Sequence, residues 1–167
     1  QIRNQFDGLS VRPLRGNIQT RLRKLDEGQL EGIILAAAGL ERLGLRERIV
    51  QYLPVDISIP SVGQGALGIE CLDTRQDIIE LLSGLDHEPT RICVEGERSV
   101  SRLLGGSCTS PLGAYARILD NHLEMSAFVA APNGSTCLRV VGRDEINKSG
   151  AMRLSQKLVN ELSALGA

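Results

Sequence analysis

The sequence predicts an α/β fold in two parts. A partial parallel-sheet lobe comes first, followed by a small α+β domain with a three-stranded antiparallel sheet and helices on one face. Three observations predict it. Helix and strand patterns alternate up to residue 60, the order expected of parallel strands joined by crossover helices. Beyond Gly105-Gly106 the pattern changes to three strand-like runs separated by Asp120-Asn121 and Pro132-Asn133-Gly134, both hairpin chemistry. Hydrophobic residues make up 42% of the 167 and charged residues 23%, which supplies cores and excludes a disordered chain.

Taken in order, Gly8 to Arg15 reads as extended, with Pro13 inside it. Asn17 is an N-cap residue, and Ile18, Leu22 and Leu25 share one helical face until Gly28 stops the helix. Residues 32–36 are too short and too apolar for a half-exposed strand and predict a buried one. Small residues Ala37, Ala38 and Gly39 lead into a helix carrying Arg42, and a further helix is predicted around 46–53. Residues 57–59 form a short strand closed by Pro60. Ser61-Val62-Gly63-Gln64-Gly65 is a flexible crossing before a strand at 66–71. Helices follow at 74–82 and, with Pro89 in its first turn, from 89 to 104. Strands are expected at 112–119, 122–129 and 136–142. A final amphipathic helix at 150–165 turns Met152, Leu158, Leu162 and Leu165 inward.

Three regions result. Residues 1–60 are the second half of an α/β lobe, because two or three parallel strands alone leave bare sheet edges. Residues 61–85 are a hinge followed by a strand and a helix, and it is the family resemblance of the motifs below that implies their return to a part of the protein preceding Gln1. Residues 86–167 are the α+β domain. The chain is therefore expected to be a piece of a longer protein.

Charge narrows the function. The net charge is -1, and there are only two Tyr, two Phe and no Trp, which argues against a nucleic-acid partner. No apolar run approaches the roughly 20 residues of a membrane span, so no membrane partner is expected either. Of 19 basic residues only Lys24, Lys148 and Lys157 are Lys. Arg offers a planar fork that grips carboxylates and phosphates in bidentate fashion. Residues 1–50 hold nine basic and six acidic residues; the remainder holds ten and fourteen. The four cysteines, Cys71, Cys93, Cys108 and Cys137, lack the close spacing of a zinc site or a redox dithiol, so no metal is expected and the thiols read as reduced.

Two constellations carry chemistry. Arg12-Pro13-Leu14-Arg15-Gly16-Asn17 runs into a helix N-terminus, with Arg21 one turn on, so guanidiniums and free N–H groups converge on an anion site. Arg42 follows the predicted strand at 32–36, on the side where α/β sheets bind ligands. Arg15, Arg21 and Arg42 together imply a small polycarboxylate or a phosphate, whereas Arg23, Arg46 and Arg48 read as solvated. The second constellation is Leu104-Gly105-Gly106-Ser107-Cys108-Thr109-Ser110-Pro111. Cys108 sits on a loop of small residues between a helix and a strand and reads as exposed and open to covalent attachment. Cys71, Cys93 and Cys137 read as buried. With only His87 and His122 in the chain, a Cys–His nucleophile has no support. Gly63-Gln64-Gly65 lacks the Lys-Ser/Thr of a phosphate loop and reads as the hinge.

Four motifs, in this order, resemble the porphobilinogen deaminase (hydroxymethylbilane synthase) family. They are Leu14-Arg15-Gly16-Asn17 with Thr20-Arg21; Ala38-Gly39-Leu40-Glu41-Arg42-Leu43-Gly44; Val62-Gly63-Gln64-Gly65-Ala66 with Gly68-Ile69-Glu70-Cys71; and Gly106-Ser107-Cys108-Thr109-Ser110-Pro111-Leu112-Gly113. The resemblance covers essentially the whole chain. It implies a periplasmic-binding-protein-like lobe and a transferase of tetrapyrrole (porphyrin and haem) biosynthesis. Such an enzyme joins four porphobilinogen units into hydroxymethylbilane with release of ammonia. It also implies a dipyrromethane cofactor held by a thioether to the residue matching Cys108. Arg15 and Arg21 match residues that bind cofactor carboxylates, and Arg15, Arg21 and Arg42 match residues that bind those of the substrate. The family's catalytic Asp matches nothing in this chain and belongs to the N-terminal domain, so this piece alone is expected to be inactive. A monomer in the cytoplasm, or in a plastid, is implied as well. Ser107 stands where many members have Gly, although plant-like members share it. If that position required a positive φ, Ser would cost roughly 1 kcal/mol.

The alternative is a non-catalytic small-anion binding module of the solute-binding-protein type. It accounts for Arg15, Arg21 and Arg42 and leaves the 106–111 loop unexplained.

Overall fold

The computed structural model describes residues 1–107 and 109–167. Its core lies in the second half. There β1 (Leu112–Leu119), β2 (His122–Ala130) and β3 (Cys137–Asp144) form an antiparallel sheet in the order β1-β2-β3. The β1–β2 turn places Asp120 and Asn121 at φ 49 and 59, the left-handed pair of a two-residue hairpin. Register runs from Leu112 opposite Val129 to Leu119 opposite His122, and β3 pairs Cys137 with Ala130.

Alternation sorts the sheet residues onto two faces. Ala114, Ala116, Leu123, Met125 and Ala127 face α5 (Glu88–Leu103) and α6 (Lys148–Ala164) and build the main core with Val100, Leu154, Leu158 and Leu162. The two helices touch where Gly96 meets Ala151: a Cβ at Gly96 would lie 3.4 Å from the Ala151 Cβ and 2.7 Å from Met125 Cε. Asn147 caps α6, its Oδ1 accepting the Gly150 N–H at 2.7 Å. The expected α+β unit with both helices on one face is therefore present. Within α6, Leu158 and Leu162 are buried as expected, together with Leu154, but Leu165 is exposed. The helix ends at Ala164, so Leu165 is its C-cap and lies beyond the helical face that Leu158 and Leu162 bury.

The opposite face carries Phe128 and Ala130, covered by Ile59 with Val55, Tyr115 and Cys137 around it. This is how the first half is fastened to the second. Arg139 of β3 donates to the carbonyls of Asp56 and Ile57 and to Gln1 Oε1. Gln1 in turn accepts the Ile59 N–H at 2.8 Å and donates to the Ile59 carbonyl at 2.9 Å.

The first half differs from the parallel lobe that its pattern predicts. Among the described residues, 32–36, 57–59 and 66–71 join no ladder. A strand is defined by its neighbour, and these segments have none: Ile34 is 61% exposed, Leu67 75% and Ile69 59%. At Ile59 the side-chain amide of Gln1 stands in for a strand partner. Helices do form where expected: α2 (Ile18–Asp26), α3 (Ala37–Arg42) and α4 (Gln76–Ser83). The helix predicted at 46–53 shrinks to a 3₁₀ turn at Arg46–Arg48: Ile49 is already extended, and with Val50, Tyr52 and Leu53 exposed no buried face sustains a longer helix. A short α1 (Ile2–Gln5), unforeseen in the sequence, precedes them.

Candidate functional site

The arginine constellation is built around the start of α2. Asn17 caps the helix as its sequence predicts, Oδ1 accepting the Thr20 N–H at 2.8 Å. Gly16 reaches φ +117, and a Cβ there would press on Thr20 Cγ2 at 3.0 Å, so only glycine brings the backbone in this closely. Arg21 is half-buried and its Nε donates to the Gly16 carbonyl at 2.8 Å, which braces the turn. Among the described residues its two Nη groups have no partner, and the same holds for the N–H groups of Ile18 and Gln19. Arg15 is exposed immediately before this turn and makes no ion pair among the described residues.

The helix carrying Arg42 rests on the same turn. A Cβ at Gly39 would meet Ile18 Cδ1 at 2.9 Å, so α3 packs on the first residue of α2. Arg42, the last residue of α3, is exposed. Packing thus gathers the two elements that bear Arg15, Arg21 and Arg42, residues 27 positions apart at the extremes. By contrast, Arg23 faces Glu27 at 3.7 Å and Arg48 bonds Asp26 at 2.5 Å, so both already have carboxylate partners. Arg48 does more than sit in solvent, since its bond ties the 3₁₀ turn to the end of α2.

The loop constellation lies between α5 and β1. Gly105 has φ +64, and the Gly106 N–H donates to the Ser101 carbonyl at 2.8 Å. There is no room for a Cβ at Gly106, which would fall 2.6 Å from Leu112 Cδ2 and 2.9 Å from Ser101 Oγ. Ser107 N–H donates to Ser110 Oγ at 2.9 Å, and Ser107 Oγ lies 3.1 Å from both Thr109 Oγ1 and Ser110 Oγ. Ser107 does not adopt a positive φ, so the strain considered for a non-glycine residue there does not arise. Cys108, the expected attachment point, lies outside the described residues.

Of the other cysteines, Cys93 is buried, and burial with the nearby Glu97 pushes its thiol up from the usual range. Cys137 is half-buried. Cys71 is exposed rather than buried, because the segment at 66–71 that was to enclose it has no neighbouring strand.

One residue escaped sequence reasoning. Glu97 is 4% exposed and borders a cavity of about 360 Å³ lined by Gln64, Gly65, Thr90, Cys93 and Tyr115. Burial pushes its carboxyl up, while bonds from the Ala116 and Gly63 N–H groups pull it back. The signal was available: Cys93, Glu97 and Val100 share the buried stripe of α5, and an acid at such a position needs partners.

Comparison with known proteins gives two matches to family models. Residues 1–80 match the family model described as porphobilinogen deaminase, dipyromethane cofactor binding domain, and residues 91–164 match porphobilinogen deaminase, C-terminal domain. The cofactor-binding description therefore falls on the stretch that holds Arg15, Arg21 and Arg42. A protein of Nitrosomonas europaea named porphobilinogen deaminase is 52% identical over 95% of this chain and 52% of its own length. One of Methylobacillus flagellatus with the same name is 52% identical over the whole chain and 53% of its own length. One of Desulforamulus reducens, also so named, is 39% identical over 99% of the chain. The chain spans about half the length of the curated relatives it matches.

Proposed function

The chain belongs to the porphobilinogen deaminase family, and from that premise we propose that it is the part of a tetrapyrrole-pathway transferase that holds the dipyrromethane and the growing pyrrole chain. The whole protein joins four porphobilinogen units into hydroxymethylbilane and releases ammonia. Cys108 is the thioether attachment point. Arg15 and Arg21 hold cofactor carboxylates, and Arg15, Arg21 and Arg42 hold those of the substrate. No residue of this chain serves as the catalytic acid or base; that role falls to the N-terminal domain of the same protein.

The observation that carries this reading is the unpaired guanidinium set at the α2 turn. Among the described residues Arg21 keeps both Nη groups open while its Nε fixes it to Gly16, and the helix adds two open N–H groups beside it. That donor set suits a ligand rich in carboxylates, because each bidentate Arg–carboxylate pair is charge-assisted and fixed in geometry. The bound dipyrromethane supplies the primer to which new units are added. Arg15 and Arg21 hold its carboxylates in place, and with Arg42 they keep those of the added units partnered as charge accumulates. The described residues on either side of the proposed attachment point are tied together by the Ser107, Thr109 and Ser110 hydroxyls.

The same reading makes 32–36, 57–59 and 66–71 strands of a periplasmic-binding-protein-like lobe. Their neighbours then come from the length that the relatives possess beyond this stretch. The regions are 1–60, 61–85 and 86–167, and the protein acts as a cytoplasmic monomer. No helix is long and apolar enough to cross a membrane among the described residues.

The test is peptide mass spectrometry on the full-length protein, with activity assayed on the same sample. The expected result is an added mass of two linked pyrroles on the Cys108 peptide and on no other cysteine. An unmodified Cys108 in active protein overturns the reading.

A further inference from the structure

Glu97 has no part in the chemistry assigned above, yet it is among the most deeply buried charged residues described. A buried carboxylate is destabilising unless its oxygens are hydrogen-bonded. Both are bonded, and by backbone groups of two segments distant in sequence. Oε2 accepts the Gly63 N–H at 2.7 Å and Oε1 accepts the Ala116 N–H at 2.8 Å. Ala116 lies in β1, which pairs with β2 alone, so its outward N–H has no strand to bond. Gly63 lies in the crossing at 61–66 with φ +72, and the space for its Cβ opens onto Val94, on α5 with Glu97, at 3.9 Å. One carboxylate therefore fastens the crossing to the edge of the C-terminal sheet. Val62 of the crossing packs against the main core, and an open groove of about 360 Å³ bordered by Gln64 and Gly65 runs beside Glu97, so the two hydrogen bonds add direction to that apolar contact. A few residues away the Pro60 carbonyl lies against Gly113, close enough to exclude any side chain.

We propose that Glu97 is a positioning residue: by bonding the crossing and β1 together, it sets the orientation of the C-terminal unit, and of the 105–111 loop that precedes β1, relative to the segment bearing Arg15, Arg21 and Arg42. The fastening itself depends on geometry alone. Its consequence for cofactor presentation rests on the reading that Cys108 carries the dipyrromethane.

Glu97→Gln tests it in the full-length protein. The amide keeps the size and one acceptor oxygen, but its NH₂ faces a second donor. Residue-resolved hydrogen exchange is the first readout. The amide of Gly63 or Ala116 is expected to exchange about 10- to 100-fold faster, the range for losing a bond to a charged acceptor. Met125 and Ala127 in the core strand β2 should keep their rates. Equal acceleration of β2 amides would show general support of the fold and overturn the proposal, as would unchanged rates at both Gly63 and Ala116. If the variant does not fold, wild-type exchange decides. Gly63 protected at least about tenfold beyond Gly65, whose N–H has no partner among the described residues, supports the fastening, and an unprotected Gly63 overturns it.

The second readout is the fraction of Cys108 carrying the pyrrole mass after purification. It is expected to fall several-fold in Glu97→Gln. Undiminished loading alongside a released crossing would overturn the positioning role. An unmodified Cys108 in active wild-type protein would instead overturn the attachment reading, and the exchange rates would still judge the fastening.

Discussion

Gly113→Ala isolates the contact between the two halves of the chain. Gly113 is the second residue of β1 and has ordinary strand geometry, so the substitution carries no φ penalty and acts through space alone. The added Cβ would overlap the Pro60 carbonyl and sit 2.7 Å from Phe128 Cε1. Phe128 is buried beneath Ile59 and cannot swing clear, so the segment at 55–60 must lift instead. Lifting it exposes part of Ile59, whose full burial is worth roughly 1.5–3 kcal/mol. Overpacking of a tight site costs about 1–3 kcal/mol in its own right. Because part of the lift relieves part of the clash, the two do not add, and the expected loss is about 2 kcal/mol. The assay is urea unfolding of the full-length protein, with Ser163→Ala as control. Ser163 is exposed on α6, so the control should stay within about 0.5 kcal/mol of wild type. Equal midpoints for the two variants would refute the claim that the Pro60–Gly113 approach is close-packed.

Two further outcomes are expected. Arg21→Ala should weaken binding of a di- or tripyrrole polycarboxylate about 10- to 100-fold by calorimetric titration, the range for losing a charge-assisted bidentate contact, and Arg21→Lys should not restore it, since a point charge cannot span two oxygens. Glu124 lies between Arg117 and Arg143, which bond its Oε1 and Oε2 at 2.7 Å each and hold its carboxyl below the usual range. A depressed folded-state pKa stabilises the protein above the ordinary Glu range, near 4.3, and that contribution is lost as pH falls through the folded value. Unfolding midpoints measured from pH 6 down to 3 should therefore decline less steeply in Glu124→Gln than in wild type.

Much of the second half was legible because its signals are local. Hairpin residues at 120–121, Pro89 in a first helical turn, Asn147 as a cap and the alternation along most of β2 each specify geometry within a few residues. The arginine site was legible for the same reason at Arg15, Gly16, Asn17 and Arg21, which share one turn. That the helix carrying Arg42 lies against the start of α2, through Gly39 on Ile18, is set by packing that no local pattern shows. Ser107 shows the limit in the other direction: a concern about φ drawn from the residue type vanished once the loop closed through Ser110.

What the sequence determined by itself is the longer helices, the three strands of the antiparallel sheet, the turn chemistry, the arginine-lined helix start and the family to which its motifs belong, because each of these depends on neighbours in the chain. What only the tertiary structure decided is which extended segments find partners and which buried charge is tolerated. Residues 32–36 and 66–71 are as apolar as core strands, yet form no ladder among the described residues, since pairing is a property of two segments and not of one. Glu97 looks like any helical acid until Gly63 and Ala116, brought together from 53 positions apart, each turn an N–H toward it. Hydrogen bonds of that span are set by the packing of the whole chain.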